Sequence, residues 1–198
     1  MSFRIENKYL INNENHYDFY KFLKKNSAET LHPRREINSI YFDNVNLKSY
    51  YDSIEGLVPR KKIRVRFYPK KNTINHEDNL EIKINSIEGR YKIINKNINK
   101  DKYFNHGYYD PDYGLCTPIL MVGYIREYYK MYDLRVTIDK SICYKKFKSK
   151  NFTLQSNSII FEIKSDNIDK LNQVDEQVPF QKVRYSKFCN GIEKFNLV

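Results

Sequence analysis

Cations and carboxylates stand at every second residue along several stretches of this chain, a spacing suited to gripping an extended anion. Arg4, Glu6 and Lys8 alternate with Phe3, Ile5 and Tyr9; Arg60, Lys62, Arg64 and Arg66 alternate with Ile63, Val65 and Phe67. Glu81 and Lys83 sit between Leu80, Ile82 and Ile84, and Arg126 lies between Tyr124 and Tyr128. Arg135, Thr137 and Asp139 alternate with Leu134, Val136 and Ile138, as Glu162 and Lys164 do with Phe161 and Ile163. The chain has 10 Arg and 25 Lys, yet these positions hold six Arg and only four Lys. A merely solvated face would be mostly lysine. The planar guanidinium, with its fork of donors, points instead to bidentate recognition of carboxylate or phosphate.

Alternation with period two is the mark of strands, because successive side chains point to opposite faces. It predicts strands over 3–11, 36–43, 60–68, 79–86, 89–96, 118–130, 133–142 and 157–165. Helices are predicted over 14–25, 46–52, 166–173 and 185–196. Short connections make the sheet antiparallel. If the charged faces look inward, the eight strands close into an antiparallel β-barrel with a charged lumen and helices packed outside, a mainly β (α+β) fold. With no linker or composition shift, residues 1–198 read as one domain. Ten cations then share a lumen with Glu6, Glu81, Asp139 and Glu162. Two like charges about 7 Å apart repel by roughly 2 kcal/mol at an effective dielectric of about 20. Such a cavity favours a compact polyanion.

Composition narrows the alternatives. The 198 residues carry a net charge of +11, but 18 Tyr and 12 Phe supply the apolar mass of a packed fold. No apolar run approaches the roughly 20 residues of a membrane helix. The first residues enter the alternation at once, without a signal core, so a cytoplasmic location is expected. Three dispersed cysteines and four scattered histidines fit neither a disulfide framework nor a zinc site. Nucleic acid is not an expected partner, because the arginines alternate within strands and no aromatic platform accompanies them.

The order of motifs resembles the VTC (vacuolar transporter chaperone) domain, a branch of the CYTH-like triphosphate tunnel metalloenzymes. Arg4-x-Glu6-x-Lys8-Tyr9, Ser39-Ile40-Tyr41-Phe42-Asp43, Arg60-x-Lys62-x-Arg64-x-Arg66-x-Tyr68 and Leu80-Glu81-Ile82-Lys83 match its first half. Tyr124-x-Arg126, Leu134-Arg135-x-Thr137-x-Asp139, Phe161-Glu162-x-Lys164 and Tyr185-Ser186-Lys187-Phe188 match its second. Arg4 replaces the first carboxylate of the E-x-E-x-K pattern of CYTH relatives, which favours the VTC branch over a triphosphatase.

The resemblance implies a polyphosphate polymerase that moves the γ-phosphoryl of ATP onto polyphosphate, with Mn²⁺ or Mg²⁺ as cofactor. It implies that Lys8, Arg64, Arg66, Lys83 and Arg126 hold the phosphates and that Lys187 reaches the reacting group. Arg60, Lys62, Lys92, Arg135 and Lys164 are further substrate contacts. Glu162 is the implied metal ligand, helped by Glu6 and Glu81, while Asp139 reads as a structural partner of Arg135. A membrane partner protein is compatible with this family. The same tunnel also suits a triphosphate hydrolase, a cyclase or a non-catalytic polyphosphate-binding module.

Overall fold

The computed structural model describes residues 5–69, 78–150 and 153–197; Phe3 and Arg4 lie outside these. Eleven strands form one antiparallel sheet: β1 (Ile5–Ile11), β2 (Glu29–Asp43), β3 (Arg60–Phe67), β4 (Asn79–Asn85), β5 (Arg90–Asn95), β6 (Tyr108–Asp110), β7 (Gly114–Met131), β8 (Leu134–Lys146), β9 (Thr153–Ser156), β10 (Ile159–Ser165) and β11 (Gln181–Lys182). The order is β11-β1-β10-β8-β7-β2-β3-β4-β5, with β6 and β9 paired to β7 and β8. The eight expected strands are all present, and the three additional ones are too short to show alternation. Helices α1 (His16–Lys25), α2 (Lys48–Glu55), α3 (Lys100–His106), α4 (Ile168–Asp175) and α5 (Lys187–Lys194) complete the chain. Of these, α3 was not anticipated, although Asn99 at its N-cap and Gly107 just beyond it are ordinary helix boundary signals.

The apolar faces of the strands turn outward onto the helices. Phe19, Phe22 and Leu23 of α1, spaced to share one helix face, join Leu171 and Val174 of α4. Together they cover Tyr9, Ile11, Val136, Ile138, Phe161 and Ile163. On the other half of the sheet Ile40, Phe42, Ile63, Val65, Leu80, Ile82 and Ile84 form a second outer core, against which Tyr103 and Phe104 of α3 pack.

The inner face is divided. In β8 the register with β7 slips between Gly123 and Ile125, where Ser141 has a positive φ of 51°. This bulge takes up one residue of β8. Thr137 and Asp139 face inward before it, and Ile142 and Tyr144 face inward after it. One end of the concave face is therefore charged and the other apolar. The apolar end consists of Leu120, Val122, Ile142, Tyr144 and Ile160, and α5 seats Phe188, Cys189 and Ile192 on it. The expectation of helices outside the barrel thus has an exception: α5 enters the concave side because it is apolar there.

The sheet also does not close through its backbone. Among the described residues no strand pairing joins β5 or β4 to β1. Side chains span that gap instead: Lys83 of β4 lies 3.1 Å and Arg90 of β5 3.5 Å from the Glu6 carboxylate of β1.

The seating of α5 is tight. A Cβ on Gly191 would stand 2.5 Å from Leu120 Cδ2 and 2.8 Å from Tyr144 Cδ1. Gly191→Val should destabilise the fold by about 1–3 kcal/mol through overpacking. A denaturant midpoint equal to that of the wild type would contradict this seating.

Candidate functional site

Each strand of the charged end delivers side chains into one cavity. Glu6 and Lys8 come from β1, Arg64 and Arg66 from β3, Glu81 and Lys83 from β4, and Lys92 from β5. Arg126 comes from β7, Asp139 from β8, Glu162 and Lys164 from β10, and Lys187 from the start of α5. The Ser186 side chain caps α5 by accepting from the Cys189 amide. This fixes the first turn and aims Lys187 inward.

Two carboxylate-centred groups result. In the first, Arg64 donates through Nε and Nη2 to Glu81 Oε2 at 2.8 and 2.5 Å, and through Nη1 to the Tyr41 hydroxyl at 2.9 Å. Lys92 reaches Glu81 Oε1 at 2.9 Å, and Arg66 lies 3.6 Å from Glu81. In the second, Asp139, fully buried, accepts from Arg126 in two parallel bonds of 2.6 and 2.7 Å, and Lys187 donates to its Oδ2. Glu162 adjoins this group, 3.6 Å from Arg126, 3.6 Å from Lys8 and 3.0 Å from Lys164. Tyr124 joins the two groups: its hydroxyl accepts from Arg66 at 3.1 Å, and its ring lies under Arg126 at 5.3 Å and Lys187 at 4.6 Å.

Among the described residues, eight cations of this cavity, with Arg90 at its edge as a ninth, share four carboxylates. Lys62 stands beside them, with no carboxylate of the described residues within 4.0 Å. Its ammonium donates to Ser186 Oγ at 2.8 Å, and burial lowers its pKa. Every carboxylate is held ionised. Burial would raise Glu6 and Glu81, but Lys8 and Lys83 around the first, and Arg64, Arg66 and Lys92 around the second, hold both down to about 2. Glu162 is kept well below the usual range despite its burial by Lys164, Arg126 and Lys8. The Lys83 ammonium is lowered as well, to about 8, by partial burial and by the neighbouring Lys8 and Arg90 cations.

Several sequence expectations change in detail. Asp139 pairs with Arg126 and Lys187, not Arg135. Arg135 is exposed, lying over the Tyr128 ring at 5.7 Å. Arg60 is outside the cavity centre, bound to the carbonyls of Gly56 and Leu57. Lys187, by contrast, is buried at the centre. Tyr41 and Tyr124 were not singled out as site residues, although Tyr124 shares the inward parity of β7 with Arg126.

The three carboxylates named as metal ligands separate. Glu6 and Glu162 approach the same two ammonium groups: Lys8 is 3.6 Å from each, and Lys164 is 3.9 and 3.0 Å away. Both therefore face one region of the cavity. Two ionised carboxylates, completed by phosphate oxygens and water, fit the hard-oxygen demand of Mg²⁺ or Mn²⁺. Glu81 is engaged by Arg64, Arg66 and Lys92 and does not fit that set. Among the described residues no three Asp, Glu, His or Cys side chains gather to hold a cation unaided.

The family model of the VTC domain matches residues 3–196. The chain belongs to the VTC domain family. A solved structure of a proposed adenylate cyclase from Bacillus halodurans covers 98% of this VTC domain and 99% of its own length, with a TM-score of 0.64 at 10% identity. Another proposed adenylate cyclase, from Vibrio parahaemolyticus, covers 89% of this chain and 84% of its own at 15% identity, with a TM-score of 0.49. The first of these shows that the fold of this chain is shared with the Bacillus halodurans structure. No curated protein matches the chain. Among the described residues no helix is long and apolar enough to cross a membrane.

The depressed Glu81 pKa links stability to pH. A carboxylate whose folded pKa lies below its unfolded value stabilises the fold above the unfolded value of about 4.5, and that contribution is lost as pH falls toward 2. The shift corresponds to roughly 3 kcal/mol. Glu81→Gln should be less stable than the wild type at pH 5–7, and the gap should shrink between pH 5 and pH 2. A gap that stays constant across that range in urea titrations would show that Arg64 and Arg66 do not hold the carboxylate ionised.

Proposed function

We propose that this VTC domain is a metal-dependent polyphosphate polymerase that transfers the γ-phosphoryl of ATP to a growing polyphosphate chain and releases ADP. One observation carries the reading: eight cations around four carboxylates leave an excess of positive charge in a single cavity, with Lys62 adding to it. Family membership supports the same ligand class. The excess is costly without a polyanion and is neutralised by a phosphate chain.

Phosphoryl transfer needs positioning and charge neutralisation more than covalent help. A terminal oxygen of the polyphosphate attacks the γ-phosphorus, the bond to the β-phosphate bridging oxygen breaks, and ADP carries that electron pair away. Arg66, Arg126 and Lys187, facing one another across Tyr124, are placed to neutralise the oxygens of the transferring group. Lys8, Arg64, Lys83, Lys92, Lys164 and Arg135 would bind the remaining phosphates. Asp139 holds Arg126 and Lys187 in place so that neither swings away to solvent. Glu162 and Glu6 would hold Mn²⁺ or Mg²⁺, which supplies further neutralisation of phosphate charge. Such an enzyme would act in the cytoplasm, where ATP is made, and a membrane protein partner would move the polymer onward.

Purified protein with ATP and Mn²⁺ or Mg²⁺ should produce ADP and an acid-stable polymer. Pyrophosphate would instead indicate a cyclase, the activity proposed for the Bacillus halodurans protein, and free phosphate a hydrolase. Arg66→Ala should lower polymer synthesis by about 100-fold or more, and Glu162→Gln should lower it with the thermal melt retained. Unaltered synthesis in both variants would place the chemistry elsewhere.

Binding is measurable separately. Tripolyphosphate at 100 times its dissociation constant should stabilise the protein by about 2.7 kcal/mol, several degrees in Tm for a chain of this size. No shift would argue against a polyanion site.

A further inference from the structure

The register across β3, β4 and β5 lines up like charges. Arg60 faces Asn85, which faces Arg90; in the next row Lys62 faces Lys83, which faces Lys92. Like charges directly opposite one another destabilise a sheet, and the inner rows avoid this by setting Glu81 against Arg64. The outer rows do not. Among the described residues, neither Arg60 nor Lys62 has a carboxylate within 4.0 Å, and Glu6 alone serves both Lys83 and Arg90.

Exposure gives the ladder a direction. The side chains of Arg66 and Arg64 are 10% and 18% exposed, those of Lys83 and Arg90 41% and 46%. Exposure thus rises from the rows of Arg66 and Arg64 to those of Lys83 and Arg90, and alongside them runs the row of cations on β3. From Arg66 to Arg60 it spans roughly 20 Å at about 3.3 Å per residue, more length than the three phosphates of ATP require.

At the rim, the C-terminal end of α2 fixes two guanidiniums. Arg60 Nη1 donates to the carbonyls of Gly56 and Leu57 at 3.1 and 2.6 Å. Arg184 Nη2 donates to the Ser53 carbonyl at 2.8 Å and lies 3.4 Å from where a Cβ on Gly56 would stand. Carbonyls at a helix C-terminus favour cations, so the guanidiniums are held without being neutralised. Each keeps further N–H donors for an anion, since a guanidinium carries five.

We propose that Arg60, Arg90 and Arg184 form a second binding site, selective for linear inorganic polyphosphate. It continues from the Lys62–Lys83–Lys92 row and is the rim over which the polymer leaves the cavity. This rests on the polyphosphate reading above, but its test needs neither ATP nor metal. Long-chain polyphosphate and tripolyphosphate are titrated separately into wild type and Arg90→Gln/Arg184→Gln by calorimetry. The double variant should bind the long chain about tenfold more weakly, 1.4 kcal/mol, with tripolyphosphate affinity changed by less than about twofold. Arg90→Lys/Arg184→Lys should recover most of the long-chain affinity, which a purely structural role for Arg184 would not predict. Equal weakening for both ligands, or no weakening for the long chain, overturns the proposal. If the double variant melts early, Arg90→Gln alone, on the exposed strand β5 and without a bond to α2 among the described residues, reads the same contrast with a smaller loss. A failed polymerase assay alongside this long-chain selectivity would remove the catalytic reading and leave the rim site standing.

Discussion

The imbalance between guanidinium or ammonium groups and carboxylates on the inner face of the sheet is the constraint that the rest of the structure accommodates. Burying like charges together is tolerated here because each carboxylate is shared by several cations rather than paired with one. Glu6 touches four cations, Glu81 and Glu162 three each, and Asp139 two. Sharing leaves donors unfilled on nearly every cation. The outer cores, in contrast, are ordinary: alternate residues of the same strands bury against α1, α3 and α4 and provide the apolar area that offsets the cost inside.

Much of this was legible from side-chain parity. Period two placed Glu6, Lys8, Arg64, Arg66, Glu81, Lys83, Arg126, Asp139, Glu162 and Lys164 on one face, and the fold keeps all of them there. Parity says nothing about which neighbour a carboxylate finds. Asp139 lies two residues from Arg135, but the antiparallel register sets it directly opposite Arg126, and cross-strand neighbours are closer than i, i+2 neighbours on one strand. Pairings of this kind need the register, which is a property of two strands at once.

The position of α5 was less accessible for a different reason. Its amphipathic pattern required an apolar surface, and the outer face of the sheet offered one. The bulge at Ser141 supplies another by turning Ile142 and Tyr144 inward, and a single inserted residue leaves little trace in a chain this rich in Ile, Lys and Tyr. Once α5 sits inside, Ser186 and Lys187 come to the centre of the cavity from a segment that a barrel with only outer helices would leave at the periphery.

The seam between β1 and the β4–β5 hairpin gives the cavity an unusual mechanical property. Its other walls are joined by backbone ladders, whose spacing is fixed by hydrogen-bond geometry near 4.8 Å. At the seam the described residues meet through Glu6 and its cations, and the strength of such partly exposed ion pairs varies with ionic strength. The circumference of the cavity is therefore not a constant of the fold. It is a variable set by the surrounding electrolyte and by any anion that competes with Glu6, so the cavity can adjust its girth to its contents without breaking a strand pairing.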